Sequence, residues 1–374
     1  LPAARYELRG HAMLLNGRPT RTIWPEADGV AVIDQRALPH RVQIAVLRRL
    51  HDVVRAIADM TVRGAPLIGV TGAYGLALQA RADASDAALA AAAHELKAAR
   101  PTAVNLAWAV DRALAHVGPL APGERATAAR SFAARLADED VAVNAQLGDH
   151  GLALLRELAG RKRRGEPLRI LTHCNAGWLA TVDWGTALAP VYCAQAAGLP
   201  LHVWVDETRP RNQGASLTAF ELREQGVPHT LIADNAGGHL MQRGQVDAVI
   251  VGCDRVTARG DVANKIGTYL KALAAHDNGV PFYVAMPLST LDRALHDGVA
   301  EIPIEERSAR EVTHLSGRSA DGAQVEVQLA PDGTPAANPA FDVTPARLVS
   351  ALITERGVVP ATREGVDRLL AEVP

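Results

Sequence analysis

Five apolar stretches in the second half of the chain each run straight into a polar, loop-forming residue: Arg169–His173, His202–Val205, His229–Ala233, Asp247–Val251 and Phe282–Ala285. Runs this short, bounded by turn residues and rich in Val and Ile, read as strands. Helical stretches separate them. Such alternation predicts βαβ units and therefore a right-handed, mostly parallel sheet. Ligands of open parallel sheets bind outside the carboxyl ends of the strands. The exits therefore carry the chemistry, and here they supply Cys174, Asp206 with Glu207, Asp234, Asp254 and Pro287.

The remainder of the chain reads differently. Tyr6–Leu15 followed by Asn16-Gly17 has a hairpin-turn signal. From Arg41 the apolar period is helical, with Val42, Val46, Leu47 and Leu50 on one face. Asp86–Arg100 is an Ala-rich helix stopped by Pro101. Glu124–Leu158 reads as one long helix or as two broken at Gly148. The basic run Arg161–Arg164 is short and without interleaved aromatics, so it reads as a solvated loop or helix end. Late in the chain, Ala323–Leu329 is a lone strand candidate and Val343–Leu352 reads as helical.

These patterns place a boundary near residues 150–168. Residues 1–150 form a mainly helical domain with a small β element, and 151–374 a Rossmann-like α/β domain; 374 residues suit two cores. A net charge of −2 gives no electrostatic case for nucleic acid or an anionic membrane. Three cysteines, none in a CxxC pair, fit a reducing compartment. No apolar run reaches the roughly 20 residues of a membrane span. The first residues lack the apolar core of a signal peptide, so the expectation is a cytoplasmic protein.

Several groups suit chemistry. Arg63-Gly64-Ala65-Pro66 ahead of a helical stretch fits anion binding or an ordinary turn. Arg100 is a second cation, or a helix-end charge. Cys174, at a strand exit near a helical stretch, fits an activated thiol or a small buried hydrophobe. Cys193 and Cys253 read as structural. Asp254 ends the most apolar strand, where a carboxyl retains its proton toward neutrality; a pair with Arg255 or a helix cap is the plainer reading. Asn264, Lys265 and Gly267 beside a helix start fit a phosphate or sugar hydroxyls. Gln213, in a dense polar loop, fits a hydroxyl ligand. No GxGxxG follows a strand, and the 13 histidines show no zinc spacing.

Taken in order, Arg63-Gly-Ala-Pro-Leu-Ile-Gly69, Arg100-Pro-Thr-Ala-Val-Asn105, Thr172-His-Cys-Asn-Ala-Gly177, Glu207-Thr-Arg-Pro-Arg-Asn-Gln-Gly214 and Gly260-Asp-Val-Ala-Asn-Lys-Ile-Gly-Thr-Tyr269 resemble the methylthioribose-1-phosphate isomerase family. The likeness runs on through Ile302–Arg307 and Asn338–Pro345. It implies an aldose-to-ketose isomerisation of a sugar phosphate in methionine salvage, with no metal or organic cofactor. Arg63, Gly64, Ala65, Arg100, Gln213, Asn264 and Lys265 would bind substrate, Asp254 would donate a proton and Cys174 would assist. It also implies a homodimer. Two departures bear on the substrate. Trp178 and Trp184 stand where small residues are usual, and indoles bordering the crevice would reshape it around the 5-substituent. Another ribose 1-phosphate, such as 5-deoxyribose 1-phosphate or ribose 1,5-bisphosphate, and a non-enzymatic regulatory subunit remain as alternatives.

Overall fold

The computed structural model describes residues 13–100 and 104–371. Seven strands form the main sheet: β1 (Leu168–Thr172), β2 (Leu201–Asp206), β3 (His229–Ile232), β4 (Ala248–Val251), β5 (Phe282–Ala285), β6 (Ala351–Thr354) and β7 (Gly357–Val359). Their spatial order is β7-β6-β5-β4-β1-β2-β3, parallel except for β7 against β6. The chain winds outward one way from β1 to β3, then returns to the other side of β1 as β4. The order reverses between β1 and β4, which pair directly through Ile170↔Ala248 and Leu171↔Val249. This is the topological switch point, where two strand ends diverge and leave a crevice. The α/β class and all five predicted strands are present, with ends differing by at most one residue.

The helices before the sheet are α1 (Leu50–Ala58), α2 (Ala65–Ala82), α3 (Asp86–Ala98), α4 (Val104–Val117) and α5 (Pro122–Gly160). α2 is buried almost all round, through Leu67, Ile68, Val70 and Leu76, and forms the axis of this helical core. α5 is one unbroken helix of 39 residues. Its first half buries Phe132 and Leu136 in the helical core; its second half buries Leu147 and Leu155 against the sheet. Gly148 does not break it. A Cβ there would lie 2.7 Å from Cys193 Sγ, so the glycine lets α5 press onto the helix Ala189–Ala196.

Three sequence expectations change. The segment after Arg41 is first a strand, Ile44–Leu47, paired with Val30–Ile33 along the register Val30↔Leu47; the helix begins only at Leu50. Its β-branched Ile44 and Val46 gain an edge position in a three-stranded sheet, which outweighs the local helical period. Val343–Leu352 is helical only in the single 3-10 turn Ala346–Leu348. Phe341–Thr344 pairs with Val262–Lys265, Pro345 turns the chain, and Ala351–Thr354 enters the main sheet as fully buried β6. Periodicity cannot separate a short buried strand from a helix turn. Finally, the strand Gln324–Gln328 is not alone but pairs with His314–Arg318. The Asn16-Gly17 hairpin does form, with φ of 52° and 73° at its two central residues. Residues 6–12 of that expectation, like Pro101 and Thr102, lie outside the described residues. Among the described residues no helix is long and apolar enough to cross a membrane.

Asp140 of α5 and Asp183 meet where the two cores join. Asp140 accepts from the Val182 N–H at 2.7 Å, and Asp183 accepts from the Trp184 N–H at 2.9 Å. Burial pushes their carboxyls up to about 7 and about 6. The folded state therefore holds protons that the unfolded chain, with carboxyls near 4, has released. Stability from this pair must fall as pH rises from about 4 to about 7. The expected result is that acidification from pH 8 to pH 5.5 stabilises the wild type more than Asp140→Asn, by roughly 1–2 kcal/mol in denaturant titration. Equal pH responses of the two proteins would refute a raised Asp140 carboxyl in the folded state.

Candidate active site

The two strand ends at the switch point carry the thiol and the acid. β1 passes through His173 to Cys174, and β4 through Gly252 and Cys253 to Asp254. Two further arms converge there. The Arg63-Gly64-Ala65 turn opens α2, and Asn264-Lys265 ends the strand Val262–Lys265 of a second, four-stranded sheet. Gly64 is required in this turn: its φ is +93°, and a Cβ would fall 2.4 Å from the Ala180 carbonyl oxygen.

Cys174 is buried, at 8% exposure, as are Lys265, Asn264 and Gln213. Burial raises the Cys174 thiol; the positive charges of Arg63 and Lys265 oppose that rise. The expectation of a thiol activated by a helix N-terminus is corrected, because only a 3-10 turn, Trp178–Ala180, follows. Asp254 is partly accessible, and burial raises its carboxyl against the pull of Lys265, Arg100 and Arg63. Burial in turn lowers Lys265, with Cys174 and Asp254 resisting. Thiol, acid and three cations thus form one electrostatic unit. Arg255 pairs with Asp292 at 3.3 Å.

Each cation is held differently. Arg63 donates to Asn175 twice, to Oδ1 at 2.5 Å and to the carbonyl at 2.8 Å. Lys265 Nζ donates to the Ala340 carbonyl at 2.9 Å and lies 4.5 Å from the Phe341 ring centroid. Arg100 is half-buried, with its Nε and Nη1 atoms buried and lacking a hydrogen-bond partner among the described residues, and Glu305 lies 3.9 Å from it. Gln213 Oε1 is likewise buried and without a partner among the described residues. Such groups are costly unless a ligand meets them.

The site residues do not share one cavity. Gly64, Ala65, Arg100 and Asp254 line a narrow crevice that offers only about 30 Å³ to a water-sized sphere. Arg63 and Gln213 face an adjoining opening of about 600 Å³. Cys174, Asn264 and Lys265 lie behind, lining neither. Pro287, the fifth strand exit, belongs to a different cavity between α4, α5 and the β6–β7 turn. The indoles do not border the crevice: Trp178 is fully buried in the sheet core and Trp184 packs against it. Sequence reasoning gave no role to Asn175, which anchors Arg63, or to Glu305 and Arg307, paired at 2.9 Å beside Arg100. Only their place within Ile302–Arg307 could have pointed to that last pair.

Among the described residues one cluster has metal-ligand character, His173 with Asp206 and Asp234. The Lys271 ammonium lies 2.7 Å from Asp206 Oδ2 and supplies a positive charge beside the cluster. Asp234 accepts from the Thr208 and Arg209 N–H groups.

A parallel sheet with a raised acid, a buried thiol and three cations at its switch point defines an α/β protein built around a small anionic ligand. The chain belongs to the Initiation factor 2 subunit family, which residues 61–361 match, and within it to the methylthioribose-1-phosphate isomerases. It is 63% identical over 362 residues to a methylthioribose-1-phosphate isomerase of Methylorubrum populi, covering 96% of this chain and 99% of the relative. A crystal structure of 5-methylthioribose 1-phosphate isomerase from Pyrococcus horikoshii superposes with a TM-score of 0.79 at 41% identity, over 94% of this chain and 96% of that one. A structure from A. fulgidus described as translation initiation factor eIF-2B, subunit delta, superposes at 0.77 with 40% identity, over 94% and 99%.

Proposed function

We propose that the protein is an aldose–ketose isomerase that converts 5-methylthioribose 1-phosphate to 5-methylthioribulose 1-phosphate in methionine salvage. The observation that carries this is the placing of Asp254 and Cys174 on neighbouring strand ends within the field of Arg63, Arg100 and Lys265. Phosphate on the anomeric oxygen blocks the simple hemiacetal opening of ordinary aldoses. The ring oxygen must receive a proton as its bond to C1 breaks, a task for a protonated carboxyl. Asp254 donates that proton. Hydride then moves from C2 to C1, and the C2 hydroxyl returns its proton to Asp254 as the ketone forms. No proton or electron is left over. The buried, raised Cys174 thiol supports this route over one in which a thiolate acts as base.

Arg100 and Lys265 hold the phosphate, with Arg63 and Gln213 meeting the sugar from the wider opening. Gly64, Ala65 and Asn264 bring backbone and amide groups close. The crevice of about 30 Å³ holds about one water, so the Arg63–Arg100 arm moves aside to admit substrate and closes on it. Ile68, Ile302, Pro303, Ile304 and Phe341 give the crevice an apolar wall. That favours an apolar 5-substituent over a second phosphate. We also place the chain in the cytoplasm as a homodimer, divided near residues 150–168; light scattering at the monomer mass would overturn the dimer.

A substrate panel tests the assignment. By NMR, 5-methylthioribose 1-phosphate is expected to yield ketose with kcat/KM about tenfold or more above that for 5-deoxyribose 1-phosphate and ribose 1,5-bisphosphate. Preference for either of the others would reassign the substrate. No ketose from any would favour the non-enzymatic regulatory reading.

A further inference from the structure

Cys174 sits in a backbone conformation that only its neighbours can hold. Its φ is +62°, left-handed and disfavoured for any residue with a Cβ. Thr208, buried just beyond the end of β2, has φ +63°, rarer still for a β-branched residue. The two are joined. The Cys174 N–H donates to Thr208 Oγ1 at 2.9 Å, and Thr208 Oγ1 donates onward to Asp206 Oδ1 at 2.6 Å. Because the hydroxyl hydrogen is committed to Asp206, a lone pair of Oγ1 is aimed at the Cys174 amide. On the other side the Cys174 carbonyl accepts from Thr218 Oγ1 at 2.6 Å.

Asp206 is itself fixed. It is fully buried and accepts from His173 Nδ1 at 2.7 Å and from Lys271 Nζ at 2.7 Å. Burial works against its ionisation, but His173 and Lys271 outweigh it and hold the carboxyl down at about 2. Its charge, and with it the orientation of the Thr208 hydroxyl, is therefore constant throughout the working range of pH. The His173 Nε2 meets the Ile266 carbonyl at 2.8 Å, next to Lys265. One chain of polar contacts thus runs from the thiol loop on β1, through the exit of β2, to the arm that carries the lysine.

We infer that Thr208, set by the Asp206–His173–Lys271 cluster, is a positioning residue for catalysis: it locks the strained Cys174 backbone so that the thiol faces the reacting carbons. It touches no substrate in this scheme and acts only through Cys174. The inference rests on the isomerase reading for its kinetic consequence, but not for its structural one. Backbone strain stored beside a reacting group persists only where surrounding contacts over-determine it. Here a single hydroxyl supplies one of those contacts, and its removal leaves the amide of Cys174 buried and unmet.

The test compares Thr208→Val, which keeps shape and loses the hydroxyl, with Thr208→Ser, which keeps the hydroxyl. Thr208→Val is expected to lower kcat about 10- to 100-fold, with KM changed by less than about threefold. Thr208→Ser is expected to recover kcat to within about threefold of wild type. The second readout needs no substrate: iodoacetamide labelling of Cys174, followed on its peptide by mass spectrometry. The freed loop of Thr208→Val should label at least about fivefold faster, and Thr208→Ser at the wild-type rate. If Thr208→Val does not fold, Thr208→Ala carries the same expectations. Unchanged kcat and labelling in the Val or Ala variant would overturn the inference, as would a Ser variant as damaged as Val. Were the wild type itself inactive on every ribose 1-phosphate, the isomerase reading would fail. Labelling alone would then decide the positioning role.

Discussion

Asp254→Asn is expected to lower kcat/KM for ketose formation by about 10³-fold while leaving the fold intact, the span that a positioned general acid contributes being about 10²–10⁴. Asn matches Asp in shape and can still accept hydrogen bonds, but it has no proton to give the ring oxygen. The loss should fall mainly on kcat, because the phosphate contacts of Arg100 and Lys265 are not removed. Stability should not suffer, since the substitution replaces a carboxyl whose ionisation burial already opposes. Wild-type activity should decline on the alkaline side as Asp254 loses its proton. Its raised pKa carries the active, protonated form further toward neutrality than an ordinary Asp would allow. The Asp254→Asn variant should show no such limb in its residual rate. Full turnover by that variant would remove the acid from the mechanism.

The second large effect is at Cys174. Cys174→Ala is expected to cost about 10²-fold in kcat with little change in KM, the mark of a group that matters in the transition state and not in substrate binding. The thiol is buried among groups whose charges it modulates, Lys265 and Asp254. Replacing it with a methyl leaves a small void and alters the polarity met by the migrating hydrogen. Cys174→Ser should fall as well, because a hydroxyl is the stronger hydrogen-bond donor and draws polar groups toward the reacting carbons. A Cys174→Ala enzyme with more than half the wild-type kcat would limit the thiol to packing. The other cysteines offer an internal control. Cys193 packs under α5 and burial pushes Cys253 up to about 12, so neither should affect turnover when changed to Ala.

Much of this was legible in the residues themselves. The strand exits could be read because an apolar run that stops at a Cys, Asp or Asn states where a buried strand meets solvent. Burial at the end of Ala248–Val251 could be read from four apolar residues in succession, and the raised acid follows from it. The elements that failed are those whose partners lie far away in sequence. Ile44–Leu47 is a strand because Val30–Ile33 is beside it, and Ala351–Thr354 because Tyr283–Ala285 is beside it. The indoles misled for a related reason. Trp178 is three residues beyond Asn175, yet its 3-10 turn points it into the core and not the crevice.

The sequence by itself determined the chemistry on offer: a thiol, an acid and three cations, each beside a turn or a strand end. It also pointed to a mostly parallel sheet for the strands of the thiol and the acid, since helical stretches alternate with strands in that half of the chain, whereas the strand of Lys265 runs antiparallel to both its neighbours. What it did not contain was adjacency. Cys174 and Asp254 leave the first and fourth strands of the sheet, and nothing local to either says that these two strands touch. That was decided by the winding order, which reverses at β1 and sets β4 against it. Likewise the left-handed backbone of Cys174 has no local cause. It exists because Asp206 and Thr208 at the exit of β2, and Lys271 of the helix Thr268–Asp277, hold it there. Hydrogen bonds of that kind form only once packing has brought their elements together, so the tertiary structure alone could reveal them.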